Sequence, residues 1–344
     1  MAKSLVQSSN AHSPVEVVEH PIPSITGEGQ VLVQMSASPV NRVDLMTLAN
    51  LYPVKPQYHV DGKPIPGFDG CGVVLDSSSP AFRKDDVVLP STLGLGTWRT
   101  HAVWPASSLL KLPRQTPPVA GALLRSGALV AWLLCEEVTR LKAGDWVIVS
   151  AGTSCVAQFF IQFARIKGIN TILVVRDRYN IDATREKLLG LGASSVLTEF
   201  ELAQATEESL PGKVTLALDS VFGRVGEDLA RLLSPGGKFV LVGMLAGPKT
   251  SISVSTSHLF YKQLSFLPFR SSEVLKRMGD ERATALIQHV ATLLADGRVQ
   301  LPELHRVSWE SISEEELKKA LEAAQSKVVG YKKTVWLFSS GLNL

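Results

Sequence analysis

From Trp146 to Gly243 the chain alternates short, wholly apolar runs with segments that are apolar only at every third or fourth position. The runs "DWVIVS", "NTILVV", "SSVLT", "VTLALDS" and "GKFVLVG" predict strands buried on both faces. The segments from about Ser154 to Lys167, around "ATREKLLGL" and around "GEDLARLL" predict amphipathic helices. Apolar strands separated by such helices mean a doubly wound parallel sheet covered on both sides, an α/β arrangement. The apolar helical stretch "GALVAWLLCEEV", beginning at Gly127, leads into it.

Before Ser126 the rhythm is different. "EGQVLVQMSASPVN", "GCGVVLD", "DDVVLP" and "THAVWP" are short strand patterns with turn residues between them, which predicts a β-rich, barrel-like domain. After the α/β part, "GDERATALIQHVATLLADG" predicts a helix with Leu286, Val290, Leu293 and Leu294 on one face. "EEELKKALEAA" predicts another helix and "KKTVWLF" a last strand. The reading is therefore an α/β domain over 125–270 inserted into a β-rich domain made of 1–124 and 271–344.

Composition narrows the chemistry. The net charge is +3 and the basic residues form no dense run, so no nucleic-acid partner is expected. Cys71, Cys135 and Cys155 are widely spaced and odd in number, which gives neither a disulfide framework nor a zinc ribbon and favours a reducing compartment. His12, His20, His59, His101, His258, His289 and His305 lack metal-like spacing, so no metal is expected. No apolar run is expected to reach the ~18 residues of a membrane span, so no membrane partner is expected either. "MAKSLVQSS" is too short and polar for a signal peptide and lacks the Arg-rich character of a presequence. Taken as complete, the chain would be cytoplasmic.

The stretch "VIVSAGTSCVAQFFIQFA" reads as strand, polar turn and helix, the layout of a dinucleotide-binding loop with few of its glycines. Gly152 can supply the tight turn, and Thr153 or Ser154 can cap the helix. The helix opens through Cys155 and Val156, whose N–H groups and partial positive charge suit an anion. Cys155 puts a side chain where the backbone would approach a phosphate, whereas Ala157 is acceptable at a close-packed position. The loop alone fits nucleotide binding and pure architecture equally. "VVRDR" then places Arg176, Asp177 and Arg178 at the end of the next strand, where an adenosine ribose would arrive. An acid there suits NAD and arginines suit NADP, so the two arginines lean to NADP. The bland alternative is a solvated Arg–Asp loop.

With "GLGTWRT" at 94–100, "NRVDLMTLANLYP" at 41–53, "LKAGDWVIV" and "LLSPGGKFVLVG", the chain resembles the zinc-independent medium-chain dehydrogenase/reductase superfamily over nearly its full length. Within it, the sequence is most similar to the mitochondrial trans-2-enoyl-CoA/acyl-carrier-protein reductases. The resemblance implies a Rossmann domain inserted in a split, GroES-like catalytic domain. It also implies NADPH-dependent reduction of the C2=C3 double bond of a 2-enoyl thioester, on CoA or acyl carrier protein, with hydride to C3 and a proton to C2. A homodimer joined through sheet edges is implied too, with "SISVSTSHL" at 251–259 as the pairing region, and so is the mitochondrial matrix.

Tyr52 falls on the family's catalytic tyrosine. A phenol of reference pKa about 10 is protonated at neutral pH and can donate. Lys333 matches a family lysine that contacts cofactor, and Phe266 a family phenylalanine. The departures gather at the cofactor: Cys155 and Ala157 stand for glycine, Gly127 for asparagine, Val242 for a tyrosine ahead of Gly243 and Met244, and Leu267 for tryptophan. The zinc-dependent relatives carry Cys near Asn41 and His near Phe68, and neither ligand is present here. Asn41 and Asp44 either orient the tyrosine loop or the nicotinamide ribose, or only form a turn and cap; Trp98 and Arg99 read as structural. Two other readings stay open: a quinone or enone oxidoreductase of the same superfamily, and a degenerate, non-enzymatic member with a weakened nucleotide site.

Overall fold

The computed structural model describes residues 1–8, 14–247, 249–309, 312–325, 329–330 and 332–338; His12 lies outside them. The chain separates into two compact units, Met1–Ser126 with Thr284–Leu344, and Gly127–Ala283. The first unit opens with the hairpin β1 (Ala2–Gln7) and β2 (Val15–His20), followed by β3 (Gln30–Pro39) and α1 (Arg42–Leu48). Next come the small pair β4 (His59–Val60) and β5 (Lys63–Pro64), then β6 (Cys71–Ser77), β7 (Val87–Pro90), β8 (His101–Pro105), β9 (Leu109–Leu112) and α2 (Pro118–Leu123).

A π turn at Leu124–Ala128 leads to α3 (Leu129–Glu136). The second unit continues with β10 (Trp146–Val149), α4 (Cys155–Ile166), β11 (Asn170–Val175), α5 (Ile181–Leu191), β12 (Ser195–Thr198) and α6 (Glu199–Gln204). After these come β13 (Val214–Asp219), α7 (Arg224–Arg231), β14 (Lys238–Leu241), β15 (Ser265–Pro268) and α8 (Ser271–Met278), and α9 (Asp280–Ala295) crosses the boundary into the first unit at Thr284. The first unit is then completed by β16 (Leu304–Ser308), α10 (Glu314–Gln325) and β17 (Lys333–Leu337).

In the first unit the strands form one sheet in the order β16-β17-β3-β6-β7-β9, with β8 also on β3. Trp98, Trp104 and Trp336 are wholly buried in its core with Val31, Val33 and Met35 of β3. In the second unit the order is β12-β11-β10-β13-β14-β15, all parallel. Both faces of these strands are apolar because both are covered by helices, so the runs read as continuous rather than alternating. Register aligns Ile148, Ala217, Phe239 and Phe266 in one row across four strands.

On α9 the expected face is buried at Val290, Leu293 and Leu294 and half-buried at Leu286, with Ile287 and Ala291 buried beside it. Two expectations are corrected. Residues 251–259 carry no strand; the sheet ends at β15, and a loop and π turn precede it. One helical stretch, Pro118–Glu136, is long and apolar enough to cross a membrane, although 72% of its apolar window is buried inside the protein, as in a core helix.

Candidate functional site

The strand order of the second unit reverses direction at β10: β11 and β12 lie on one side, β13 to β15 on the other. In such sheets ligands bind beyond the carboxyl ends of the strands at that switch point. The segment after β10 occupies it. Ala151 takes the left-handed turn, at φ +50°, and not Gly152. Gly152 instead donates its N–H to Val174 O at 2.8 Å and lies so close to β11 that a Cβ would stand 2.9 Å from Leu173. Its lack of a side chain thus serves packing on the neighbouring strand, not the turn.

Ser154, rather than the exposed Thr153, caps α4: its hydroxyl accepts the Ala157 N–H at 3.2 Å. Cys155 and Val156 open the helix, where a partial positive charge favours an anion. The Cys155 thiol is turned onto the π turn: a Cβ at Gly127 would stand 3.0 Å from its Sγ and 3.0 Å from the Phe159 ring. The two departures at Gly127 and Cys155 are therefore one packing solution, in which a side chain lost on one element is filled from the other. A crevice along this loop is lined by Ser150, Ser154, Val156, Ala157, Ser220 and Val242.

Arg176, Asp177 and Arg178 follow β11. Asp177 is committed: its carboxylate accepts the Phe200 N–H at 3.3 Å in the first turn of α6. Arg178 donates from Nε to the carbonyl of Arg176 at 3.2 Å. Burial, and then the Arg176 charge, pull the Arg178 guanidinium below its ordinary value. Among the described residues no carboxylate pairs with Arg178, whereas the Glu199 carboxylate stands in the field of Arg176; a phosphate would find its guanidinium partner at Arg178.

Val242 and Gly243 both donate to Asp219 O, at 2.7 and 3.2 Å, which folds the chain after β14 back toward β13 and leaves Met244 exposed. Phe266 and Leu267 are not brought to this edge. Phe266 sits in the Ile148 row, packed on Phe239 at 5.4 Å between ring centres. β15 is three strands from β10, roughly 14 Å at ordinary strand spacing.

In the first unit, Tyr52 lies just beyond α1, half-buried, with its ring edge-on to Phe68 at 5.7 Å. Asp44 explains that placement. One oxygen accepts the Asn41 N–H at 2.6 Å, capping α1, and the other accepts the Phe68 N–H at 3.0 Å. Burial outweighs these bonds and pushes the Asp44 carboxyl up to about 8; Asp69 adds to the rise, and Lys333 opposes it.

Asn41 uses its side chain elsewhere. Its amide donates to Asp69 Oδ2 at 2.7 Å, and its oxygen accepts from Lys333 Nζ at 2.6 Å and Ser126 Oγ at 3.4 Å. Arg125 Nε stands 3.7 Å from Asp69 Oδ1. Lys333 is thus joined through Asn41 to the helix start that positions the tyrosine segment. Asp69 and Arg125 were missed in the sequence because nothing local marks them.

Arg99 is a buried cation whose NH2 group donates to Leu95 O at 2.8 Å, with Tyr58 and Trp104 rings 4.9 and 5.1 Å away. Burial lowers it to about 10. The neighbouring Leu93 and Gly94 carbonyls accept from the side chain and backbone of Gln57, both at 2.8 Å. The "GLGTWRT" motif therefore holds the chain five residues beyond Tyr52, a structural role.

Among the described residues no three His, Cys, Asp or Glu side chains cluster as metal ligands would. Residues 27–114 match the alcohol dehydrogenase GroES-like domain family, and residues 155–290 the zinc-binding dehydrogenase family. The mitochondrial enoyl-[acyl-carrier-protein] reductase of Rattus norvegicus is 32% identical over 94% of this chain and 86% of its own length. The structure of Etr1p of Candida tropicalis with NADP and crotonyl-CoA superposes with a TM-score of 0.86 at 23% identity, over 98% of this chain and 99% of that one. A quinone oxidoreductase of Pseudomonas syringae superposes at 0.77 and 20% identity, over 98% and 100%. At those identities the two structures speak to the fold alone. The curated relative goes further, and with it the chain belongs to the mitochondrial enoyl-[acyl-carrier-protein] reductase family of zinc-independent medium-chain dehydrogenases/reductases.

Proposed function

We propose that the chain reduces the C2=C3 double bond of a 2-enoyl thioester with NADPH. The observation that carries the reading is similarity to enoyl reductases over 94% of the chain. The residues present fit the cofactor: the positive end of α4 at Cys155 and Val156, and Arg176 and Arg178 flanking an Asp177 that is bonded to α6. When bound, NADPH supplies the hydride. The N–H groups opening α4 would hold its pyrophosphate, and Arg176 with Arg178 its 2′-phosphate. Gly152, Thr153, Ser154, Val242, Gly243 and Met244 would line its path, and Lys333 would meet it as a donor. Gly127 acts through Cys155. Phe266 and Leu267 are supported only as packing near the sheet edge.

Tyr52 is the proton donor to C2. Its ring is held by Phe68, and Asp44 holds the Phe68 backbone, so the phenol is presented from a fixed segment. No metal is needed for this chemistry: positions 41 and 68 hold Asn and Phe. The carrier is CoA or acyl carrier protein, the working form a homodimer, and the compartment the mitochondrial matrix; the relatives' names support the acyl carrier protein and the mitochondrion. β15 is one edge of the sheet, with β12 the other, and is the edge we assign to pairing between copies.

The test is NADPH titration, followed by turnover of crotonyl-CoA against a quinone. The expected result is saturable NADPH binding and faster reduction of crotonyl-CoA. Faster quinone turnover would favour the quinone reductase reading, and absence of NADPH binding the non-enzymatic one.

A further inference from the structure

Asp219 ends β13 wholly buried, and its burial raises its carboxyl above the ordinary range. Three donors converge on it. Ser150 Oγ donates to Oδ1 at 2.6 Å, Val221 N–H to Oδ1 at 2.9 Å, and Phe222 N–H to Oδ2 at 3.0 Å. Ser150 also accepts the Ser220 N–H at 2.8 Å, so its single proton is committed to Asp219. With three donors facing two oxygens, the group serves as an acceptor only. Gly226 of α7 rests on it so closely that a Cβ would stand 2.7 Å from Oδ2.

Ser150 follows β10 and Ser220 follows β13, the two strands that meet at the switch point. The hydrogen bonds therefore tie together the two loops that flank the ligand crevice. Both loops hold a non-glycine residue in the left-handed region: Ala151 at φ +50° and Phe222 at φ +70°. Such residues persist only where their surroundings over-determine them, and they cluster at ligand clamps. Here Asp219 binds the Phe222 N–H directly and anchors the residue before Ala151. Ser150 and Ser220 also line the crevice with Ser154 and Val242.

We propose that Asp219, acting through Ser150, is a positioning residue for the cofactor: it fixes the two strained loops at the switch point in their NADPH-receiving shape. The inference rests on the NADPH reading above. Asp219 itself contacts no ligand.

The experiment uses the full chain and NADPH. Ser150→Ala keeps the Asp219 bonds to Val221 and Phe222 but cuts the link between the loops. NADPH affinity and the NADPH KM are expected to weaken about tenfold, the scale of one lost charge-assisted hydrogen bond. The KM for crotonyl-CoA should stay near that of the parent, and the cofactor-free protein should stay folded at the assay temperature although its melting temperature falls, since a buried carboxylate loses a donor. Ser150→Thr, which restores the hydroxyl, should recover most of the affinity. Gly226→Ala, which presses on the carboxylate from α7, should weaken NADPH in the same direction. If Ser150→Ala binds NADPH like the parent, the link is architectural and the inference is overturned while the NADPH reading stands. If affinity falls only in proportion to lost folding, or if Ser150→Thr does not recover it, the positioning role is likewise overturned. A parent that binds no NADPH would overturn both.

Discussion

Tyr52 and the Gly127–Cys155 pair give two predictions that single side chains decide. Tyr52→Phe removes only a hydroxyl, so the edge-on contact with Phe68 should survive. Turnover of crotonyl-CoA should fall roughly a hundredfold or more, the range for a lost general acid, with NADPH affinity unchanged. Steady-state kinetics beside a binding titration would check it; undiminished turnover would remove Tyr52 from the mechanism. Gly127→Ala places a methyl 3.0 Å from Cys155 Sγ and should destabilise the chain by about 1–2 kcal/mol, as mild overpacking does. Cys155→Ala should make room for it, so urea unfolding of the two single variants and the double variant should show positive coupling of about 1 kcal/mol. Additive effects would mean that the two residues do not share the space. The loop also shows where residue-level reading stops. Gly152 was visible as the loop's glycine, but its task is close packing on β11, and the left-handed turn falls to an alanine that no sequence rule would choose.

At the scale of elements the sequence was most informative where one face or both faces were buried. The strands β10 to β14 and helices α4, α5 and α7 follow directly from the apolar pattern, since full burial leaves no polar alternative. The pattern was least informative at the sheet's edge. Residues 251–259 alternate like a strand, yet the edge is β15, because pairing with β14 rather than local alternation decides which segment joins. Site residues held by tertiary hydrogen bonds were equally hidden. Asp69 and Lys333 are joined through Asn41 from segments far apart in sequence, and Asp219 showed only as an acid closing an apolar run. The segment after β11 carries its own prediction. Arg176→Ala with Arg178→Ala should erase a preference for NADPH over NADH of about tenfold to a hundredfold, the value of a charge-assisted phosphate pair. Parallel titrations with both cofactors would measure it, and equal affinities in the parent would refute it.

For the molecule as a whole, Asp44 couples stability to pH. Its folded carboxyl is raised to about 8, above the ordinary unfolded value. A group shifted in that direction contributes fully below its unfolded pKa, and its contribution is lost as pH rises through the folded value. The melting temperature should therefore decline between about pH 5 and pH 8, and Asp44→Asn, which cannot titrate, should flatten that decline. Thermal melts across this window decide it; an unchanged slope in the variant would assign the titration elsewhere. A different coupling runs through Asp177. Its carboxylate would be the natural acceptor for the ribose hydroxyls of NADH, yet it is spent on the opening turn of α6. A lineage, or an engineer, seeking to exchange one coenzyme for the other could not stop at removing two arginines. Releasing the acid for a sugar would take from the Phe200 N–H its side-chain acceptor, a hydrogen bond worth about 1 kcal/mol, and the change of diet would leave the start of α6 to its Thr198–Glu201 capping box.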